Sequence, residues 1–301
     1  MSILKQKAYW IEHYHDQKYE TIRENILKSF KDLVFDEEPH KYYLNGVELD
    51  CVSNITHLFK PHFDTDRMAR ETFERNFDNE NSKYYKMSID QIKESWQKTS
   101  SDACELGSAR HNFGESVFWW MVGEYDKIVP EFIDRFTVNE EGERICTPQF
   151  PKEEAIVKFW NDLPVCYIPI LAENKVFNVN ENYAYSGTFD ILFYYDALLN
   201  GKPEKQSGAQ VFDYKTNKDL YKNFKEQKLL EPFDELLDMP LSIYKLQLAA
   251  YQLCLEKIGI HIINRCLIWL RPNGEYEKVR LEDLSKQLNS ALIEKFKKYY
   301  E

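Results

Sequence analysis

No two cysteines in this chain form a Cys-x-x-Cys pair, and its six cysteines, at 51, 104, 146, 166, 254 and 266, lack the dense, even spacing of a secreted disulfide framework. A reducing compartment fits that usage best. No apolar run approaches the roughly 18 residues needed to cross a bilayer. The opening, MSILKQKAYWIEHYHDQ, lacks the apolar stretch of a secretory signal. A soluble cytoplasmic protein with no membrane partner is therefore expected. Internal repeats and low-complexity tracts are absent too. Basic charge is in short supply, with 39 Lys and Arg against 50 Asp and Glu and a formal net charge of −11. This argues against a surface that coats nucleic acid indiscriminately but leaves room for a local basic groove.

Core-forming residues are plentiful. A chain of 301 residues with 43% hydrophobic and 15% aromatic content can build one large domain or two modest ones. Residues 5–32 predict a helix, with Ala8, Ile11, Ile22, Ile26 and Phe30 among its apolar positions. In HKYYLNGVELD, Asn45-Gly46 between two short strand-like runs predicts a hairpin, because both residues tolerate positive φ. A short helix, SNITHLF, follows. Residues 62–100 contain neither Gly nor Pro and read as helices packed by a narrow stripe. From Ile89 helical character runs through ACELGSARHNFGESVFWWMV, as one helix or as two joined at Gly107 with Ser108 as a new N-cap. Residues 137–152, with Gly142, Pro148 and Pro151, predict a loop before a short helix at 152–161.

The second half changes texture. CYIPILAENKVF, YAYSGTFDILFYYD and AQVFDYKT are aromatic and β-branched strand candidates. A helix over LSIYKLQLAAYQLCLEKIG is expected to stop at Gly259. INRCLIWLRPNGEYEKVRL predicts a second hairpin, turned at Asn273-Gly274, and a helix to Glu301 closes the chain. Helix, three strands, helix and two strands make an α/β core. Residues 1–100 are expected to be an elaboration packed on a core of residues 101–301.

Within VFDYKTNK, period-2 geometry sends Asp213 and Lys215 to the same face of a strand. Taken alone, the pair is explained by a salt bridge. Asp190 interrupts an apolar run after Gly187, and such a carboxylate is costly unless it is paired or holds a metal. His111 and Glu115, spaced i, i+4, share one face of a helix that also carries Phe113, Val117, Phe118 and Trp119. Packing alone accounts for such a histidine. Gln247 and Tyr251 repeat that spacing in an otherwise apolar helix, where a core tyrosine with its hydroxyl satisfied is the plain alternative.

In order and element type, GSARH, GTFD, DYK and QLAAY resemble the motifs of the RecB-like branch of the PD-(D/E)XK nuclease superfamily. The pattern there is Gly-Thr/Ser-x-x-His on a helix, Gly-x-x-Asp on a strand, Asp/Glu-x-Lys on the next strand and Gln-x-x-x-Tyr on the helix after it. All four are present between residues 107 and 251. The stretch HKYYLNGVELDCVSNITHLFKP is also similar to the opening of bacteriophage exonucleases of this branch. The resemblance implies a restriction-endonuclease-like core, a central mixed β-sheet flanked by helices, with a helical N-terminal elaboration. It further implies a metal-dependent exonuclease hydrolysing phosphodiester bonds from DNA ends in recombination, repair or DNA degradation. The setting would be bacterial cytoplasm, or host cytoplasm for a viral chain.

By the same resemblance His111, Asp190, Asp213 and the backbone carbonyl of Tyr214 would hold Mg²⁺ or Mn²⁺. Lys215 would orient or deprotonate the attacking water, while Gln247 and Tyr251 position water and the DNA backbone. Glu173 is placed near the same edge. Some relatives bind an iron–sulfur cluster through one upstream cysteine and three late ones. Here only Cys254 and Cys266 lie late, so no cluster is expected. No Walker A sequence is present, so any helicase motor would be a separate chain. A single-strand-binding or annealing protein is the other partner implied. Lys218, Lys222, Lys225 and Lys228 are spaced to line one helical face, either against phosphates or in solvent. The competing class is a catalytically inactive scaffold that keeps the nuclease fold to bind DNA or a partner.

Overall fold

The computed structural model describes Leu4, residues 6–140 and residues 142–297. The chain opens with α1 (Ala8–His13) and α2 (Gln17–Phe30), then β1 (Leu33–Asp36), β2 (Lys41–Leu44), β3 (Val47–Cys51) and α3 (Val52–His57). The single helix expected over residues 5–32 is thus broken. The Arg23 guanidinium of α2 donates to the Tyr14 carbonyl, which takes up the end of α1, and the Asp16 carbonyl accepts from Tyr19 and Glu20 to start α2. The hairpin at Asn45-Gly46 forms as expected, with φ of 52° and 79° and Leu44 facing Val47.

Next come α4 (Thr65–Asn76) and α5 (Ile89–Val122). α5 is continuous through Gly107, so Ser108 caps nothing. β4 (Phe136–Val138) and β5 (Arg144–Cys146) form a small antiparallel hairpin where a loop was expected, closed at Gly142 with φ of 77°. The remaining elements are α6 (Pro151–Asp162), β6 (Tyr167–Val179), β7 (Ala184–Tyr195), β8 (Gly208–Lys215), α7 (Pro240–Lys257), β9 (Ile262–Leu270), β10 (Tyr276–Arg280) and α8 (Ser285–Lys297). The expected end of the last helix, at Glu301, lies outside the described residues. Residues 216–239 contain no helix, so the four lysines from Lys218 to Lys228 line no helical face; Lys225 and Glu226, both at positive φ, break any helical course there.

Eight strands form one mixed sheet in the order β1-β2-β3-β7-β8-β9-β10, with β6 also paired to β7. β6 runs antiparallel along β7 from Ala184 to Tyr195 and so occupies one edge of it. The other edge is shared. β8 pairs antiparallel with Ile191 to Tyr195, whereas β3 pairs parallel with Tyr185 and Ser186. Between them the sheet parts, next to Asp190.

All eight residues of β8 are buried, as a strand covered on both faces requires. Phe212 and Tyr214 pack on Phe159 of α6, and alternation sends Asp213 and Lys215 to the opposite face, toward Tyr244 of α7.

The chain divides into two units, one of residues up to Lys60 together with His111 onward, the other Pro61–Arg110. The boundary expected at residue 100 therefore moves, because residues before Lys60 build part of the sheet itself. β3 hydrogen-bonds to β7, and Trp10 of α1 packs edge-on against Trp160 of α6. In the second unit Asp64 caps α4 by accepting from the Arg67 amide at 2.9 Å. Lys93 pairs with Asp66, and the Trp96 indole donates to the Tyr84 hydroxyl at 2.8 Å.

Candidate metal centre

The parted edge of β7 gathers most of the singled-out residues. Pairs on either side, Ala172 with Ile191 and Asn174 with Phe189, set Glu173 of β6 opposite Asp190. His111 of α5 reaches both: its Nδ1 lies 3.1 Å from Asp190 Oδ2 and 3.8 Å from Glu173 Oε1. One donor atom from each of His111, Glu173 and Asp190 falls within 4.8 Å of the others. His111 and Glu173 side chains are each 25% exposed against 7% for Asp190, so two of the three donors face the opening.

Glu173 has a φ of 46° in the middle of a strand. Such a conformation is uncommon for a residue with a Cβ and persists only where the surroundings impose it. Sequence reading left Glu173 near the edge and outside the ligand set. An acid in the apolar run YIPILAENKVF was its visible signal, while the left-handed turn of the backbone was invisible.

Asp213 lies deeper, at 1% side-chain exposure, paired with the Lys215 ammonium. Apart from that ammonium, both its oxygens are buried without a hydrogen-bond partner among the described residues. Tyr214 joins the site through its backbone, its N–H donating to Asp190 Oδ2 at 2.6 Å. Its ring is on the far face, where the hydroxyl accepts from the Trp160 indole at 2.9 Å. The Lys215 Nζ stands 4.3 Å over the Tyr244 ring, and the Tyr244 hydroxyl donates to Asn217 Oδ1 at 2.7 Å. The Gln247 amide donates to the Tyr251 hydroxyl at 3.1 Å, as the i, i+4 spacing allows. Gly187 makes room for them, since a Cβ there would sit 2.9 Å from Tyr251 and 3.0 Å from Val52. Glu115 turns to Trp119, accepting its indole N–H at 3.0 Å.

The electrostatics follow from crowding acids in a buried place. Burial and then the charge of Asp190 push Glu173 well above the usual carboxylate range. The same two causes push Asp213 up to about 6 against the opposing Lys215. Burial works against charge on His111, yet Asp190 and then Glu173 outweigh it and raise the imidazole to about 9. Burial also opposes the Lys215 ammonium, and Asp213 prevails, holding it protonated. Asp190 is the acid kept low: burial raises it, but His111, Lys215 and the Tyr214 N–H overcome that. Three acids around one imidazole, with both Asp213 oxygens lacking a hydrogen-bond partner among the described residues, fit a hard divalent cation.

The class so defined is a mixed α/β protein with helices on both faces of the sheet and an acid–histidine cluster beside a buried lysine. Comparison with known proteins adds little. No family model matches the chain, and no curated protein does. Among solved structures, the chain is similar to a protein from Eubacterium rectale described as a "Putative exonuclease", with 12% identity over 94% of this chain and 82% of that one and a TM-score of 0.36. Backbones that agree so loosely carry no inference about chemistry, which rests on the site.

Proposed function

We propose that the protein is a metal-dependent deoxyribonuclease of the RecB-like PD-(D/E)XK type, acting from DNA ends. The observation that carries this reading is the convergence of His111, Glu173 and Asp190 donors within 4.8 Å, next to a buried Asp213 carboxylate whose one partner among the described residues is Lys215. His111, Glu173, Asp190 and Asp213, with the Tyr214 carbonyl, would hold Mg²⁺ or Mn²⁺. The imidazole favours tolerance of Mn²⁺. Such an ion would supply Lewis-acid stabilisation of charge on the phosphoryl oxygens.

The chain's own groups complete the chemistry. Lys215, an ammonium fixed between Asp213 and the Tyr244 ring, orients the attacking water and stabilises negative charge as it develops. Protonated as it is, it serves as an electrostatic group in preference to a general base. The Gln247–Tyr251 pair offers a hydroxyl and an amide beside the same carboxylates, suited to positioning water and a phosphate oxygen. Recombination, repair or degradation of DNA, with a separate helicase, single-strand-binding or annealing protein, is the proposed setting.

The test is cleavage of end-labelled linear and closed-circular DNA, single and double stranded, with Mg²⁺, Mn²⁺ or chelator, for wild type beside Asp213→Ala. Metal-dependent loss of linear DNA that the variant lacks is expected. Cutting of closed circles would remove the end requirement. No cleavage with any metal would leave an inactive nuclease-fold scaffold.

A further inference from the structure

The segment that follows Lys215, residues 216–228, is irregular in backbone but firmly held. Leu220 is fully buried, and its carbonyl accepts from the Leu241 amide at 3.0 Å. The Asn223 amide spans the segment, donating to the carbonyls of Gln227 and Asp238 at 2.8 Å each. Lys225 and Glu226 both take positive φ, 53° and 54°, a strained pair that only a fixed framework maintains. This framework turns two rings outward: Tyr221 is 50% and Phe224 52% exposed. Water would favour the opposite arrangement.

Between and after the rings stand Lys222, Lys225 and Lys228. Residues 216–228 hold four lysines against Asp219 and Glu226, a local excess of positive charge in a chain of net charge −11. Among the described residues none of the four lysines is in an ion pair. Phe224 and Lys222 line a cleft of ≈ 480 Å³ that Ser53, Lys60, Tyr244 and Gln247 also line. Tyr244 and Gln247 are the residues that touch Lys215 and Tyr251 respectively. Tyr221 stands 6.0 Å from the Trp269 ring, and Trp269 faces Lys215 in the β8–β9 ladder. Phe224 thus shares a cleft with the residues that touch the site, and Tyr221 stands one ring away from the strand partner of Lys215.

We infer that residues 216–228 and the cleft they wall bind an unpaired DNA strand and lead it to the carboxylate cluster. Its bases stack on Tyr221 and Phe224, and its phosphates are neutralised by Lys222 and Lys225. Base faces are available for stacking only in a strand whose bases are not enclosed in a duplex, and interleaved aromatic and cationic side chains are the chemistry that holds such a strand. The cleft is of the size that admits a small molecule or a nucleotide, too small for a double helix. The destination of the strand rests on the nuclease reading; the binding does not.

The experiment is fluorescence anisotropy of a labelled oligothymidylate and of a hairpin duplex, both in chelator so that nothing is cut. Wild type is compared with Tyr221→Ala, Phe224→Ala, Phe224→Trp and Lys222→Ala/Lys225→Ala. Each alanine replacement of a ring is expected to weaken oligothymidylate binding about 5- to 150-fold and leave duplex binding unchanged. Phe224→Trp keeps the stacking face and is expected to bind as wild type. The lysine pair is expected to flatten the salt dependence of log K by about 1.4. Alanine variants that bind oligothymidylate like wild type, or that lose duplex equally, would overturn the inference. Ring-dependent binding in a protein that cleaves nothing would preserve this surface and refute the nuclease reading. Cleavage without ring dependence would do the reverse.

Discussion

Gly114 lies on α5 one turn beyond His111, facing the Tyr214 ring of β8. A Cβ built there meets Tyr214 Cε2 at 2.5 Å, with Cδ2 at 3.1 Å and Cζ at 3.2 Å. The first is roughly 1 Å inside the favourable separation of two carbons. The ring has no easy retreat, for its hydroxyl accepts from Trp160 at 2.9 Å and Phe159 packs edge-on against it. Overpacking of this kind costs about 1–3 kcal/mol, and a ring so confined belongs near the top of that range. Alanine in place of glycine returns about 1 kcal/mol in the helix. The net for Gly114→Ala is a loss of about 2 kcal/mol, or about 0.7 M in the urea midpoint at a slope of about 3 kcal/mol/M. The Tyr214 amide donates to Asp190, so displacement of the ring also disturbs a cluster carboxylate, and cleavage should fall further than stability alone requires. Urea unfolding of Gly114→Ala, Tyr214→Leu and the double variant reads the coupling, with the double variant expected to recover about 1–2 kcal/mol relative to additivity. A Gly114→Ala protein as stable as wild type, or more stable, would refute the argument that the helix is locked against the strand.

Other consequences can be measured directly. Glu173→Gln removes one acid from a crowded set, so in chelator it should melt above wild type, while the rise in melting temperature on adding Mn²⁺ should shrink; an undiminished Mn²⁺ effect would take Glu173 out of the ligand set. His111 is raised to about 9, so the imidazole holds a proton before metal enters at neutral pH. Calorimetry in buffers of differing ionisation heat should therefore find about one proton released per cation, with affinity rising up to about pH 9 and falling in acid. Asp196 accepts from Lys18 at 2.9 Å and from the Leu198 and Leu199 amides; against the pull of burial, these hold its carboxyl below the ordinary value. Its folded pKa being depressed, the stabilisation is full above the unfolded value and is lost as pH falls through the folded one. Asp196→Asn should thus be less stable than wild type at about pH 7, and the gap in urea midpoints should close toward about pH 3.

What the sequence disclosed and what it hid divide along physical lines. Asn45-Gly46, Asn273-Gly274 and Gly259 mark turns because local sterics decide them, and Gly46, Gly274 and Gly259 take φ of 79°, 80° and 83°. β7 and β8 were legible from apolar runs too long to be surface, and the i, i+4 pair of Gln247 and Tyr251 from helical spacing. His111 and Asp190 do meet, while Asp213 stands paired with Lys215, outside the three-donor group that Glu173 completes. Glu173 was legible as an acid at the edge but not as a member of the donor group, because its position depends on a backbone at φ of 46° that no local pattern announces. The four lysines of residues 216–228 were visible, but the helical face expected of them does not form, because buried Leu220 and the Asn223 bonds, more than helical propensity, shape that segment. The break between α1 and α2 depends on Arg23 finding the Tyr14 carbonyl, a contact with no local pattern to announce it.

The shared edge of β7 also sets a timetable. Asp50 of β3 pairs with Tyr185 of β7, a separation of 185 − 50 = 135 residues. At a synthesis rate of about 5–20 residues per second, the first hairpin waits about 7–27 s for its neighbour to be made. During that interval β3 has a free edge, and its sequence, VELDC, carries two acids in five residues that discourage pairing with another nascent chain. The sheet gains its first strands early but is completed only late, after β8 has emerged to pair with the other end of the same strand.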